Sequence, residues 1–363
     1  MGRGKAKEKA AREGNVVVWI ETYRPEKLEG IIGQEEVVER IKGFAVEKTI
    51  PDLLLWGPKG TGKTSLVYAL AKELYGDDEN LMLIECADFA AQRKKWLRED
   101  KRFKFFFDEQ KSAIDIFKEM IKEYAALSPI SATFKLFFFY DADSLPVNAQ
   151  QALRRTMERS SKTCRFIFAT TKPAGLIPAI RSRCLNLHFK PLDKRGALDR
   201  LIRTIAGAEG LNVTEGGLKT LKDYARGDAG AAITMLEAVV ASSPRGSAID
   251  ESRIEEVAHN AFFQRRKAEE LIELAFAARY KEVRAGLEYL IKDEKIGGEV
   301  ILEDIHDALR RKMNFAAAMD ETKKLARLVL YEGETDFTLR NSLNAVIPLE
   351  EMIVKMSTVV RTG

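Results

Sequence analysis

Residues 57–64 read Gly-Pro-Lys-Gly-Thr-Gly-Lys-Thr, and no other stretch limits what this chain can fold into as tightly. The spacing is G-x-x-x-x-G-K-[ST]. An apolar run, Leu53-Leu54-Leu55, comes directly before it and reads as a buried strand. A helical pattern, Leu66 to Leu74, follows. Between a strand and a helix, such a loop lets backbone N–H groups curl around an anion, and the helix N-terminus adds a partial positive charge. Gly57, Pro58, Lys59, Gly60, Thr61, Gly62, Lys63, Thr64 and Ser65 are therefore the expected phosphate cradle. Lys63 is placed to reach the outer phosphates as a point charge, and Thr64 to offer its hydroxyl to Mg2+. The alternative, a chance glycine-lysine loop, sits poorly with the flanking strand and helix.

The first half of the chain repeats that alternation. Leu81–Cys86, Leu136–Tyr140, Arg165–Thr170 and Cys184–Phe189 read as further strands. Helical spacing covers Glu35–Val46, Ile114–Leu127 and Pro146–Arg159. Nearly all-apolar runs separated by helices predict a parallel sheet covered on both faces, with ligand beyond the carboxyl ends of the strands. From Pro191 onward no strand signal survives. Lys194–Ala206, Thr214–Arg226 and Asp228–Ser242 read as short helices, with Thr214 and Asp228 as N-caps and Gly227 closing the helix before Asp228. From about Gln264 the pattern is longer helices: Arg265–Arg279, Tyr280–Asp293, Glu299–Lys312, Ala316–Tyr331 and Asp336–Val346. Their apolar residues recur at three and four, as an all-α region requires.

With 363 residues the chain is long enough for two or three domains. A net charge of +4 does not by itself argue for nucleic acid. Cys86, Cys164 and Cys184 have no metal-ligand spacing and suit a reducing compartment. No apolar run approaches the length that spans a bilayer. Met1–Gly14 is basic and lacks the apolar region of a secretory signal; it reads as a disordered basic arm, with contact to DNA phosphates as the alternative. Between Phe89 and Lys111, basic residues interleave with aromatics such as Trp96 and Phe103. That reads as an insertion packed on its own domain, or as a nucleic-acid contact. His188, His259 and His306 stand apart and read as structural or solvated rather than as ligands.

Five motifs follow one another in order: Trp19-Ile20-Glu21-Thr22-Tyr23-Arg24-Pro25, Ile32-Gly33-Gln34, the cradle, Asn148-Ala149-Gln150-Gln151-Ala152-Leu153-Arg154-Arg155-Thr156-Met157-Glu158, and Ile180-Arg181-Ser182-Arg183-Cys184. Together they resemble the small subunit of replication factor C, the clamp loader of archaea and eukaryotes. The resemblance runs from about residue 16 to the C-terminus and is weaker over the last helices. It implies an α/β AAA+ phosphate-loop module with a parallel five-stranded sheet at 16–190, a three-helix lid at 191–260 and an all-α collar at 261–363, after a basic tail at 1–15. It further implies an ATP- and Mg2+-using subunit of a pentamer that opens the sliding clamp (PCNA) and sets it on primer–template DNA. No membrane partner is implied. The protein is expected to be intracellular, cytoplasmic in an archaeon, which is favoured, or nuclear in a eukaryote.

The resemblance also implies residue roles. Adenine recognition falls on Tyr23, Arg24, Pro25, Ile32 and Gly33. Arg183 becomes the arginine that reaches a neighbouring subunit's γ-phosphate, a task suited to a planar, always-charged guanidinium; a surface salt bridge is the plainer reading. Lys118, and less strongly Lys111, fall where DNA phosphates are met; a solvated helix face is the alternative. Leu127, Ser128, Pro129 and Ile130 fall on the clamp-facing edge, together with Ser131.

The hydrolytic half departs from the family pattern. Where the family has Asp-Glu-Ala-Asp, this chain has Tyr140-Asp141-Ala142-Asp143. Tyr140 replaces the metal-side carboxylate, and Asp141 replaces the water-activating Glu with a shorter side chain. A register in which Asp141 serves the metal leaves Ala142 at the Glu position and again no general base. Thr171 stands at a usual Asn, and Gly230 at the lid arginine. The expectation is therefore a subunit that binds ATP, hydrolyses it poorly itself and acts on its neighbour through Arg183. The rivals are a fully active ATPase subunit and a structural subunit that binds no nucleotide. A different AAA+ DNA machine is disfavoured by the Ser-Arg-Cys stretch and the missing winged-helix pattern.

Overall fold

A computed structural model describes residues 18–47, 49–77, 79–87, 107–130, 132–192, 196–244, 246–261, 263–315, 319–342 and 344–361. The basic tail and nearly all of the aromatic-basic segment lie outside these residues.

The chain enters through α1 (Trp19–Thr22) and α2 (Glu35–Glu47) and then builds the sheet. Its order of elements is β1 (Leu53–Trp56), α3 (Lys63–Tyr75), β2 (Leu81–Glu85), α4 (Ala113–Ala126), β3 (Lys135–Tyr140), α5 (Val147–Arg159), β4 (Cys164–Thr170), α6 (Pro178–Arg181) and β5 (Leu185–His188). The strands pair in the order β2-β3-β4-β1-β5, and every pairing is parallel. In β1 successive side chains serve opposite cores. Leu53 and Leu55 pack with α2 and α3, while Leu54 packs with α4 and α5. This two-sided burial explains why the strands read as unbroken apolar runs. On the α4–α5 side, Phe137, Phe139, Phe166 and Phe168 stack across β3 and β4, with ring centroids 5.2 Å apart for Phe137–Phe166 and for Phe139–Phe168.

Because the strands are parallel, the segments leaving β1, β3, β4 and β5 emerge at one edge of the sheet. Gly57, Asp141, Thr171 and Phe189 are the first residues there.

The next three helices are α7 (Ala197–Glu209), α8 (Glu215–Ala225) and α9 (Ala229–Ser242). Thr214 caps α8 by accepting from the Gly217 amide at 3.0 Å, and Asp228 caps α9 by accepting from the Ala231 amide at 2.9 Å. Both caps are those that the sequence predicts. The turn between these helices uses two left-handed residues, Arg226 and Gly227, where the sequence pointed to Gly227 alone. One strand-like contact appears where none was expected, a parallel bridge of Val213 with Ile249. A single bridged pair leaves no periodicity to read.

The described residues divide into two units, the first ending at Ile254 and the second beginning at Glu255, inside α10 (Glu251–Ala261). The second unit continues with α11 (Phe263–Phe276), α12 (Tyr280–Glu288), α13 (Gly298–Phe315), α14 (Met319–Asn341) and α15 (Val346–Arg361). Leu271, Leu287, Ile305, Leu309, Leu349 and Ile353 lie in its core. The helix expected over Tyr280–Asp293 is α12 continued by a π-turn at 289–293. Two expectations need correction here. The break expected between Tyr331 and Asp336 does not exist, since α14 runs straight through Gly333. The final helix begins at Val346, where the sequence reading had placed an end.

Candidate functional site

The cradle is built where β1 meets α3. Gly57 turns at φ 148°, and a Cβ there would sit 2.2 Å from the Phe189 carbonyl oxygen, so only glycine lets the loop pass the end of β5. The Gly57 amide donates to the Thr170 carbonyl at 3.2 Å. Gly60, at φ 65°, lies against the lid, and a Cβ there would fall 1.7 Å from Asp228 Oδ1. Thr61 is buried, its hydroxyl donating to the Pro58 carbonyl at 2.9 Å. Gln34 ties the loop to the strand beside it. Its amide nitrogen donates to the carbonyls of Lys190 at 2.6 Å and Thr61 at 3.3 Å, and its oxygen accepts from the Lys190 amide at 3.1 Å.

Lys63, the first residue of α3, folds back over this loop. Its ammonium donates to the carbonyls of Gly57 at 2.8 Å and Pro58 at 2.6 Å. Burial pulls its pKa down to about 8, with Asp141 and Asp228 opposing the fall and Lys59 adding to it. A half-buried ammonium whose hydrogen bonds, among the described residues, go to carbonyl groups suits an anion. Pro58, Lys59 and Thr64 are exposed, while Gly62 and Ser65 are half-buried at the start of α3. The set fits a nucleotide's phosphates, and the exposed Thr64 hydroxyl is the group that would hold their magnesium ion.

The segment read as base-recognising borders both α3 and the lid. The Arg24 guanidinium lies over the Tyr68 ring of α3, 4.5 Å from its centroid, and pairs with Glu21. Tyr23 hydrogen-bonds the Glu209 carboxylate of α7. Pro25 and Ile32 are half-buried. Gly33 packs on the lid, where a Cβ would meet Leu192 at 2.6 Å and Ala197 at 2.9 Å.

The hydrolytic end is different. Tyr140 donates its hydroxyl to Glu85 Oε2 on the next strand at 2.9 Å, and its ring packs on the core that holds α3. Asp141 follows with a left-handed backbone, φ 49°, and its carboxylate acts on the Lys63 charge. Asp143 hydrogen-bonds the Thr170 hydroxyl, which accepts from the Lys172 amide at 2.8 Å. Thr171 is half-buried. Among the described residues, no group of three or more His, Cys, Asp and Glu forms a metal cage.

The remaining candidates lie on other faces. Arg183 donates to the Ala179 carbonyl at 2.8 Å and to Glu158 Oε1 at 2.5 Å, with its side chain 38% exposed. Lys118 pairs with Asp115 at 3.1 Å, and Lys111 with Glu119 at 2.6 Å. The Glu119 hydrogen bond raises the Lys111 pKa. Leu127 and Ile130 are 60% and 61% exposed. Ser128 is exposed and Pro129 half-buried. The buried Asn80 holds the Ile130 backbone from both sides, donating to its carbonyl at 2.8 Å and accepting from its amide at 2.9 Å.

Sequence reasoning missed several partners. Glu85, Asn80, Glu158 and Asp228 meet their targets only across the fold. Gln34 was visible within a motif, but its grip on the loop was not.

No described helix is long and apolar enough to cross a membrane. Residues 33–193 match the family model described as DNA polymerase III, delta subunit. The chain is 34% identical to the replication factor C small subunit of Archaeoglobus fulgidus, over 96% of this chain and 99% of that one. It is 33% identical to the replication factor C small subunit of Methanoculleus marisnigri, over 94% and 97% respectively. Among solved structures, a RuvB variant from Thermotoga maritima superposes with a TM-score of 0.51 at 16% identity, covering 78% of this chain and 85% of that one. At that identity the likeness establishes the AAA+ fold alone. The near-full-length match to the archaeal proteins decides the family: the chain belongs to the replication factor C small subunits, the clamp loader family of DNA replication.

Proposed function

We propose that this chain binds ATP with Mg2+ as one subunit of a pentameric clamp loader, hydrolyses it poorly in its own pocket, and completes a neighbour's pocket with Arg183. The observation that carries this reading is the 2.9 Å hydrogen bond from Tyr140 to Glu85. It commits the side chain at the expected metal-side position to the neighbouring strand, and a phenol is neutral near pH 7. The cradle retains what binding needs. An incoming phosphate replaces the Gly57 and Pro58 carbonyls as the partner of Lys63, and the Thr64 hydroxyl turns to the metal. Mg2+, held with the nucleotide through the Thr64 hydroxyl, would supply positive charge to offset that on the phosphates. Asp141 is left to orient water with a carboxylate one methylene shorter than Glu, in a reaction where positioning is most of the catalysis.

Arg183 extends from the stretch after α6 and is held by one exposed carboxylate, Glu158. An exposed pair of this kind is weak and yields readily to a triphosphate. The clamp contact is assigned to Leu127, Ser128, Pro129 and Ile130, with Asn80 fixing their shape. Lys111 and Lys118 are assigned to DNA phosphates, which must displace Glu119 and Asp115; salt therefore weakens binding.

The place of Asp141, directly after β3 at the sheet edge where the cradle begins, favours a second reading, a fully active site with Asp141 as the base. Single-turnover hydrolysis of γ-labelled ATP by the isolated chain, beside equilibrium binding of a fluorescent ATP analogue, separates the readings. Tight binding with turnover near the uncatalysed level is expected. Robust hydrolysis lost in Lys63→Ala establishes the active site instead, and no binding establishes a purely structural subunit.

A further inference from the structure

The lid meets the phosphate cradle through the turn that opens α9. Residues 228–232 read Asp-Ala-Gly-Ala-Ala. Three of the first four amides of α9 are spent, leaving that of Gly230: Ala229 donates to the Gly60 carbonyl at 3.0 Å, Ala231 to the Asp228 carboxylate at 2.9 Å, and Ala232 to the Asp228 carbonyl at 3.1 Å. The lid charge that lies against Gly60 is the Asp228 carboxylate. The space beside Gly230 is also taken. A Cβ there would meet Asp228 Oδ1 at 3.2 Å and Ile20 Cδ1 at 3.3 Å. Both oxygens of Glu237, from the same helix, accept from the Trp19 amide at 3.1 Å. The lid is thus fastened to the cradle and to α1 by its own contacts and needs no phosphate to hold it there.

We propose that this pocket does not distinguish ATP from ADP, because the lid turn beside the cradle presents the Asp228 carboxylate and the bare Gly230. A third phosphate adds negative charge and gains affinity only where a donor or cation receives it. Lys63 serves the outer phosphates of either nucleotide. The Asp228 carboxylate offsets whatever attraction the extra charge feels, and α9 has already capped its own helix end. Such a subunit stays occupied by nucleotide whether or not hydrolysis has occurred.

The inference rests on the nucleotide-binding reading above, and the test keeps the two apart. Calorimetry on the full chain with Mg2+ measures the affinity of ADP and of a non-hydrolysable ATP analogue. The two dissociation constants are expected to agree within about threefold. In Asp228→Asn the cap is kept and the charge removed, and the triphosphate is expected to gain about tenfold while ADP moves less. Gly230→Arg, where it folds, shifts the ratio the same way. A triphosphate preference of about tenfold or more in the unaltered chain overturns the inference and leaves the binding reading intact. An Asp228→Asn chain with an unchanged ratio also overturns it. Binding of neither nucleotide overturns both.

Discussion

Lys63 is the residue on which the pocket's electrostatics turn. Its pKa of about 8 reflects partial burial in a loop that gives it carbonyl oxygens and, among the described residues, no ion pair. The folded value lies below the ordinary value of 10.5. Protonated Lys63 therefore costs stability below pH 8, and the cost fades as pH rises toward 10.5. Nucleotide phosphates restore the charged form, so above pH 8 binding must take up a proton. ATP affinity is expected to hold steady from pH 6.5 to 7.5 and then to fall by up to about tenfold per pH unit above 8. Calorimetry in buffers of different ionisation enthalpy reads the proton directly. Affinity that stays flat to pH 9.5 contradicts this assignment.

At the scale of elements, the sheet was legible because each strand is buried on both faces and so is apolar throughout. Lys135, the first residue of β3, falls outside the strand that the apolar run predicts because a charged side chain breaks that run, although it is buried and its ammonium reaches the Tyr124 ring at 4.1 Å. The cradle was legible because its glycines answer to local backbone geometry. The partners that govern it were not, since Gln34 and Asp228 reach the loop from distant positions in the chain. Gly333 misled in the other direction. It sits inside α14 with open space where a Cβ would go, so the helix simply bears its cost. Gly333→Ala is expected to raise stability by about 0.5–1 kcal/mol, read as a higher urea midpoint at unchanged slope. A lower midpoint would mean that the groove beside it needs the glycine.

At the scale of the molecule, the second unit carries an apolar face of its own. Leu330 and Phe337 on α14 are 69% and 71% exposed, and Ile347 on α15 is 61% exposed. Phe337, Thr338 and Met352 line a groove of about 560 Å3 between these helices. Lys355 braces its rim, bridging Glu334 at 3.2 Å and Glu351 at 3.0 Å. In the proposed pentamer a neighbouring subunit is expected to cover this face. Phe337→Ser is expected to leave the isolated chain's melting temperature within about 2 °C while lowering its incorporation into the assembled loader, seen by gel filtration. Normal incorporation would place the subunit contact elsewhere.

In the proposed loader this subunit divides its labour between a pocket that holds nucleotide and an arginine that works next door. Steady-state ATP turnover of the reconstituted loader carrying Arg183→Ala in this subunit tests it most directly. Turnover is predicted to fall by at least about tenfold, with nucleotide affinity of this subunit's own cradle unchanged. Turnover equal to that of the unaltered assembly would contradict the account.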